Sequence, residues 1–349
     1  MKKSIFSNMV LSVIALTALS VFAGCSKNNG KKLYLFNWTY YTPDSVIKSF
    51  EEEFGVTVKV DSFASNEEMF AKLKAGASGY DIVVPSQDYV SIMIKEGMFR
   101  EIDHSKLTNA KNINPKLLEK ATYDPEMKWS VPYYMGAAGI AVNKTKVSNY
   151  GKSWNIFSRK DLKGRMCMLD DMREVIGDAL SYQGKSVNSL DDAELEDAKN
   201  LIINDWKPNL VKFDAEGFGK SFASGDFWVV QGYAEVVFGE VPEDKWDTID
   251  FFIPEEGGPC YIDSMCILKG AKNYDTAMEF INYIHRPEIY AEFLDTFNFP
   301  AFVNLEAIPY MTTTPMYAAS EMDNCEIKED VGDGLEKFNE LWQSIRFTD

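Results

Sequence analysis

The sequence predicts an α/β fold, and three observations carry that prediction. Short apolar runs alternate with stretches of helical periodicity over the first part of the folded chain. The residues between them are helix punctuation, with Ser or Thr before a helix and Gly after it. The chain beyond residue 33 is also long enough for two such units. Strict alternation of strand and helix implies a parallel sheet with right-handed crossovers.

Residues 1–24 stand outside this fold. Lys2 and Lys3 form a positive start, Ile5 to Phe22 is mostly apolar, and the small residues Ala23 and Gly24 precede Cys25. That is the layout of a signal peptide with its cleavage site. A cysteine directly after such a site resembles the lipobox of bacterial lipoproteins. Cys25 is then the expected lipidated N-terminus, although Phe22 stands where that pattern has Leu. An uncleaved membrane anchor is the other reading. Residues 25–32 are polar and short, as a tether to a bilayer should be.

The folded part opens with Leu33-Tyr34-Leu35-Phe36, read as a buried strand. Thr42-Pro43-Asp44 then supplies an N-cap, a first helical residue and an acid for the helix dipole. Val46, Ile47, Phe50 and Phe54 face inward on that helix, and Gly55 stops it. Val56–Val60 is the second strand. Ser65-Asn66-Glu67-Glu68 is a capping box for a helix with Met69, Phe70 and Leu73 on one side. Tyr80–Pro85 is the third strand, and it runs through Ser86–Tyr89 into a helix that buries Val90, Met93 and Ile94 and ends at Gly97.

Charge and cysteines narrow the setting. The formal charge of −17 becomes −19 once Lys2 and Lys3 are removed. So acidic a chain repels nucleic acid and anionic lipid and attracts cations. Cys167, Cys260, Cys266 and Cys325 allow three pairings that sequence cannot choose between. Cys167, within Met166–Leu169, reads as a buried free thiol. His104 and His285 are the only histidines and no paired-cysteine spacing exists, so a metal site has no support. No nucleophile elbow, zinc-protease helix, phosphate loop or cofactor motif is present.

Three stretches are candidates for chemistry. Trp38-Thr39-Tyr40-Tyr41 and Ser86–Tyr89 lie at carboxyl ends of predicted strands, where open α/β sheets bind ligands. Their rings and hydroxyls suit a small ligand that is partly apolar or cationic, and closing the top of the core is the other role open to each ring. Asp171 and Glu174 share one face of a helix's first turn, yet Asp-x-x-Glu before an apolar run is also a capping box. Tyr261 and Asp263 share one face of a strand. An acid between the apolar runs Cys260–Ile262 and Met265–Leu268 is expected to be buried and to need a partner.

FNWTYYTPDSVIKSFEEEFGVTVKVDSFASNEEMFAKLKAG, YDIVVPSQDYVSIMIKEGMFREIDHSKLTN, WSVPYYMGAAGIAVN, LDDMREVIGDAL and EEGGPCYIDSMCI occur in that order. They resemble the extracellular spermidine/putrescine-binding proteins of bacterial polyamine ABC importers. The resemblance extends over nearly all of 33–349 and weakens after about Phe302. It implies a periplasmic-binding-protein-like fold, with two α/β lobes and central sheets joined by a two-crossing hinge around an interlobe ligand cleft. The crossings it implies fall near 136–139 and 263–267. The N-terminal lobe is then 33–137 plus 264–311, and the C-terminal lobe 138–263 plus 312–349.

The same resemblance implies binding of putrescine or spermidine, no cofactor, no enzymatic activity, and delivery to a polyamine ABC permease. The protein would be a membrane-anchored lipoprotein facing the periplasm or cell surface. The site residues it implies are Trp38, Thr39, Tyr41, Ser86, Asp171, Glu174, Tyr261, Asp263 and Phe299. Asp263 takes an ammonium, and Asp170 is left as the helix cap. The sequence departs from the family at Tyr40 (an acid in the relatives), Val230 (a Trp), Phe299 (a Tyr) and Lys328 (near a ligand-contacting Gln). Those departures leave chain-length preference open. A binding protein for a neutral solute such as a sugar and a two-carboxylate glycoside hydrolase are the alternatives.

Overall fold

The computed structural model describes residues 30–348 except Tyr40 and Ala64. The leader, Cys25, most of the tether and Tyr40 lie outside the described residues. No helix among the described residues is long and apolar enough to cross a membrane. The strands come in chain order as β1 (Lys31–Trp38), β2 (Val56–Phe63), β3 (Ile82–Val83), β4 (Ser130–Ala137) and β5 (Gly139–Asn143). Then follow β6 (Met166–Met168), β7 (Leu210–Phe213), β8 (Val229–Gly232), β9 (Ile249–Phe252), β10 (Pro259–Ile267) and β11 (Glu326–Ile327). They form two sheets, each the centre of one lobe. The first is six-stranded, in the order β11-β10-β3-β1-β2 with β4 paired to β10, and the second is five-stranded, in the order β7-β6-β8-β5-β9.

The first lobe begins as the alternating pattern requires, with β1 parallel to both β2 and β3. The predicted third strand is cut to Ile82–Val83. Asp81 turns its carboxylate onto the backbone N–H groups of Tyr34, Lys272 and Asn273, and Pro85 has no N–H to extend a ladder. The helix Asp44–Phe54 buries Val46 and Phe50 and stops at Gly55, where φ is 63°. Its Thr42 is not the cap. The Thr42 hydroxyl instead lies 2.9 Å from Asn37 Nδ2 and 3.1 Å from the Tyr133 hydroxyl, so it ties the first loop to β4. Ser65 does cap the next helix, accepting from Glu68 N–H at 3.1 Å.

The chain leaves the first sheet at Ala138, the one residue between β4 and β5. It returns through residues 253–258, earlier than the 263–267 that the resemblance implies. The reason is register: β10 pairs with β4 from Cys260 opposite Ala137 to Cys266 opposite Ser130, which makes the whole of β10 part of the first sheet. Gly257, at φ 77°, permits the return to pass the tail closely, since a Cβ there would stand 2.2 Å from Asn324 O. The tail then crosses again. β11 adds to the edge of β10, and the helix Leu335–Phe347 buries Phe338, Trp342 and Ile345 against the second lobe. The stretch 312–349 is thus shared between the lobes, not confined to the second. Cys167, Cys260, Cys266 and Cys325 are all buried and free.

Candidate functional site

Asp263 lies on β10 where the two lobes meet, and it is buried. The ladder with β4 is irregular between Asp263 and Ser264, next to Pro132, which offers no N–H. The bulge falls after Asp263, so Tyr261 and Asp263 keep a common face. Asp263 also bridges to Ser86, and Ser264 N–H donates to Pro85 O at 3.0 Å. Each carboxylate oxygen therefore meets a hydroxyl from the first lobe. Ser86 Oγ donates to Oδ1 at 2.6 Å and Tyr41 Oη to Oδ2 at 2.7 Å. Burial pushes the Asp263 carboxyl up to about 6 against the opposing pull of those two hydrogen bonds. Burial and the adjacent carboxylate push the Tyr41 hydroxyl well above the usual range, which keeps it a donor.

The surroundings hold this arrangement in place. Asn66 Nδ2 donates to Ser86 Oγ at 3.1 Å, and Tyr133 Oη donates to Tyr41 O at 2.7 Å. Tyr41 stands edge-on to Tyr133, Tyr134, Phe293 and Phe299. Phe299 stacks on Tyr134 with centroids 4.1 Å apart. Tyr261 lies half-buried between Tyr134 of the first lobe and Tyr233 of the second, at 6.3 and 6.0 Å. Its ring can lie over the paired strand β4 because Gly136 stands opposite it there, where a Cβ would come within 2.5 Å of the Tyr261 hydroxyl. The result is a carboxylate at the base of aromatic walls, a setting suited to an ammonium on an alkyl chain.

The second lobe brings a different pair of acids. Asp171 is the N-cap of the helix Met172–Tyr182, accepting from Arg173 N–H and Glu174 N–H at 2.8 and 3.1 Å. That corrects the assignment of the cap to Asp170, whose carboxylate instead faces Arg346 at 3.4 Å. A preceding Asp170 cannot reach the free N–H groups that Asp171, one residue closer, already satisfies. Glu174 is fully buried and forms an ion pair with Lys328, with the Tyr233 hydroxyl 3.4 Å away. Burial raises the Glu174 carboxyl, and Lys328 opposes that rise. One turn deeper, the buried Asp178 accepts from Gln231 Nε2 at 2.5 Å, and burial raises its carboxyl well above the usual range.

The fold thus gathers Tyr41, Ser86, Tyr261, Asp263 and Phe299 at one end, and Asp171 and Glu174 with Lys328 at the other. Trp38 and Thr39 point elsewhere in this arrangement. Trp38 Nε1 donates to Val84 O at 2.9 Å, its ring packs on Phe63, and the exposed Thr39 bonds to Phe63 O. Sequence reasoning missed two residues. Gln87 joins the tail to the site, with Nε2 donating to Lys328 O at 2.6 Å and Oε1 accepting from Ile262 N–H at 2.9 Å. Glu235, in the first turn of the helix Ala234–Glu240, acts electrostatically on Tyr134, Tyr233 and Tyr261, and burial pushes its carboxyl up to about 7. An acid after a strand end (Val229–Gly232) was the available signal. A surface groove of about 1250 Å³ lies away from these residues on the first lobe. Its Lys106 and Arg286 are already paired with Asp275 and Glu53.

Comparison with known proteins places this geometry. Residues 45–320 match the model of the bacterial extracellular solute-binding protein family. The chain belongs to that family. This solute-binding protein is 34% identical over 354 residues to the spermidine/putrescine-binding periplasmic protein of Escherichia coli K12, covering 99% of each chain. It is 32% identical over 286 residues to the putrescine/cadaverine-binding protein of Pseudomonas aeruginosa PAO1, covering 79% of this chain and 80% of the other. The crystal structure of the Tp0655 (TpPotD) lipoprotein of Treponema pallidum superposes with a TM-score of 0.88 at 53% identity, covering 91% of this chain and all of that one. The family is one of solute-binding proteins rather than enzymes, and its two-lobed architecture is the one described above.

Proposed function

We propose that this solute-binding protein captures putrescine or spermidine between its lobes and delivers it to a polyamine ABC permease. The observation that carries the reading is Asp263, a buried carboxylate whose hydrogen-bond partners are two neutral hydroxyls, at the base of aromatic walls. A primary ammonium placed there forms an ion pair that no neutral solute can supply, and the rings desolvate the methylenes beside it. Tyr41, Ser86, Tyr261, Phe299 and Asp263 form the inner subsite. Asp171, Glu174 and Glu235 carry the second lobe's negative charge, while Trp38 and Thr39 stand outside the inner subsite. Closure turns on Ala138 and residues 253–258, and the closed shape is what the permease reads. Cleavage of residues 1–24 and lipidation at Cys25 would anchor the protein to a membrane facing the periplasm or cell surface. Electrophoresis after radiolabelled palmitate feeding tests that step, and loss of label in Cys25→Ala is the expected result.

Titration calorimetry tests the ligand. The full chain, held in mild detergent and freed of carried-over ligand by unfolding and refolding, is titrated with putrescine, spermidine and maltose. Saturable heat with an amine and none with maltose is expected. Heat with maltose alone would replace this reading with that of a sugar-binding protein.

A further inference from the structure

Lys328 occupies an unusual place. Its backbone belongs to the first lobe, where its N–H donates to Cys260 O at 3.1 Å and its carbonyl accepts from Gln87. Its side chain crosses to the second lobe, and its ammonium sits on Glu174 Oε1, with the side chain only 17% exposed. Glu174 itself is fully buried, so the pair is closed off from water on the acid's side. Two further acids of the cleft are differently provided. Asp263 has hydroxyl partners only, and among the described residues no ion pair engages the Glu235 side chain.

Resting on the polyamine reading, we propose that Lys328 is a built-in ammonium that occupies Glu174 in place of a ligand amine and so makes the site selective for diamines over triamines. Asp263 and Glu235 carry no cation of the chain's own, and both act electrostatically on Tyr261. A diamine can place one ammonium at each. A third ammonium directed toward Glu174 meets a cation fixed to the chain, and like charges at that separation repel inside a poorly solvated cleft. Displacing Lys328 would strand its ammonium away from its carboxylate, which adds to the cost.

The test compares putrescine with spermidine by calorimetry on the full chain and on Lys328→Gln and Lys328→Arg. The wild type should favour putrescine. Lys328→Gln frees Glu174 and should move the affinity ratio toward spermidine by about tenfold or more, the equivalent of one ion pair gained. Lys328→Arg keeps the cation and should keep the wild-type ratio, which a purely structural role for the side chain would not require. If Lys328→Gln does not fold, Lys328→Met, of similar length and no charge, carries the same expectation. Wild type that binds neither amine overturns the polyamine reading and this inference together. Wild type that binds both, with a ratio unmoved by Lys328→Gln or already favouring spermidine, overturns this inference alone.

Discussion

The two ends of the cleft each bury a carboxylate, and they satisfy it in opposite ways. Asp263, on the first lobe, receives one hydrogen bond per oxygen from Ser86 and Tyr41, both neutral. Glu174, on the second, receives the ammonium of Lys328. A carboxylate held by hydroxyls has its geometry settled and its charge uncompensated, so it can still take a cation. A carboxylate held by a lysine has its charge compensated. Burial of an acid is therefore no measure of its readiness to bind an amine, and the identity of the donor decides.

The contrast can be broken most directly at Asp263. Asp263→Asn keeps an oxygen for one hydroxyl and removes the charge, so the fold should persist while a bound ammonium is left unpaired. The expected loss of putrescine affinity is about 3 kcal/mol, on the order of a hundredfold, read by calorimetry with circular dichroism as the check on folding. Wild-type affinity would remove Asp263 from the site. The counterpart is Glu174→Gln, which strands the Lys328 ammonium. Because that ammonium is partly exposed, the cost should be about 2 kcal/mol of stability, less than for a fully buried pair, seen as a lowered melting temperature. This variant should also lose less putrescine affinity than Asp263→Asn.

Acidification sharpens the same comparison. An acid whose pKa is raised by folding, as Asp263 is to about 6, binds its proton more tightly in the folded state. In the free protein its stabilising contribution is present below the unfolded value and is lost as pH rises through about 6. Ammonium binding requires the carboxylate, so putrescine affinity should be full above that point and fall by up to about tenfold per pH unit below it. An affinity flat between pH 7 and 5 would count against a raised Asp263 carboxyl as the ammonium's partner. The smallest effect belongs to Tyr41→Phe, which removes one of the two hydroxyls. It should weaken putrescine by about 1 kcal/mol and shift the midpoint of that pH profile upward.

Much of this could be read in the chain. Alternating runs and caps from Leu33 to Gly97 determined the parallel start of the first sheet, because period and punctuation are local properties. Asp263 stood out as an acid between apolar runs, and the structure buries it. The capping-box pattern at Asp171 and Glu174 was equally legible, and Asp171 does cap its helix. Other features depended on contacts far apart in sequence. The return at 253–258 follows from the pairing of β10 with β4, more than a hundred residues apart. Tyr41 reaches Asp263 across 222 positions, and Lys328 reaches Glu174 across 154. A side chain's local sequence determines its type and its element, whereas its partner is set by which strands the sheet brings together. The sequence alone thus determined that this cleft carries acids and rings. Only the tertiary structure decided which acid is left open to an amine, because only folding assigns each carboxylate its donor.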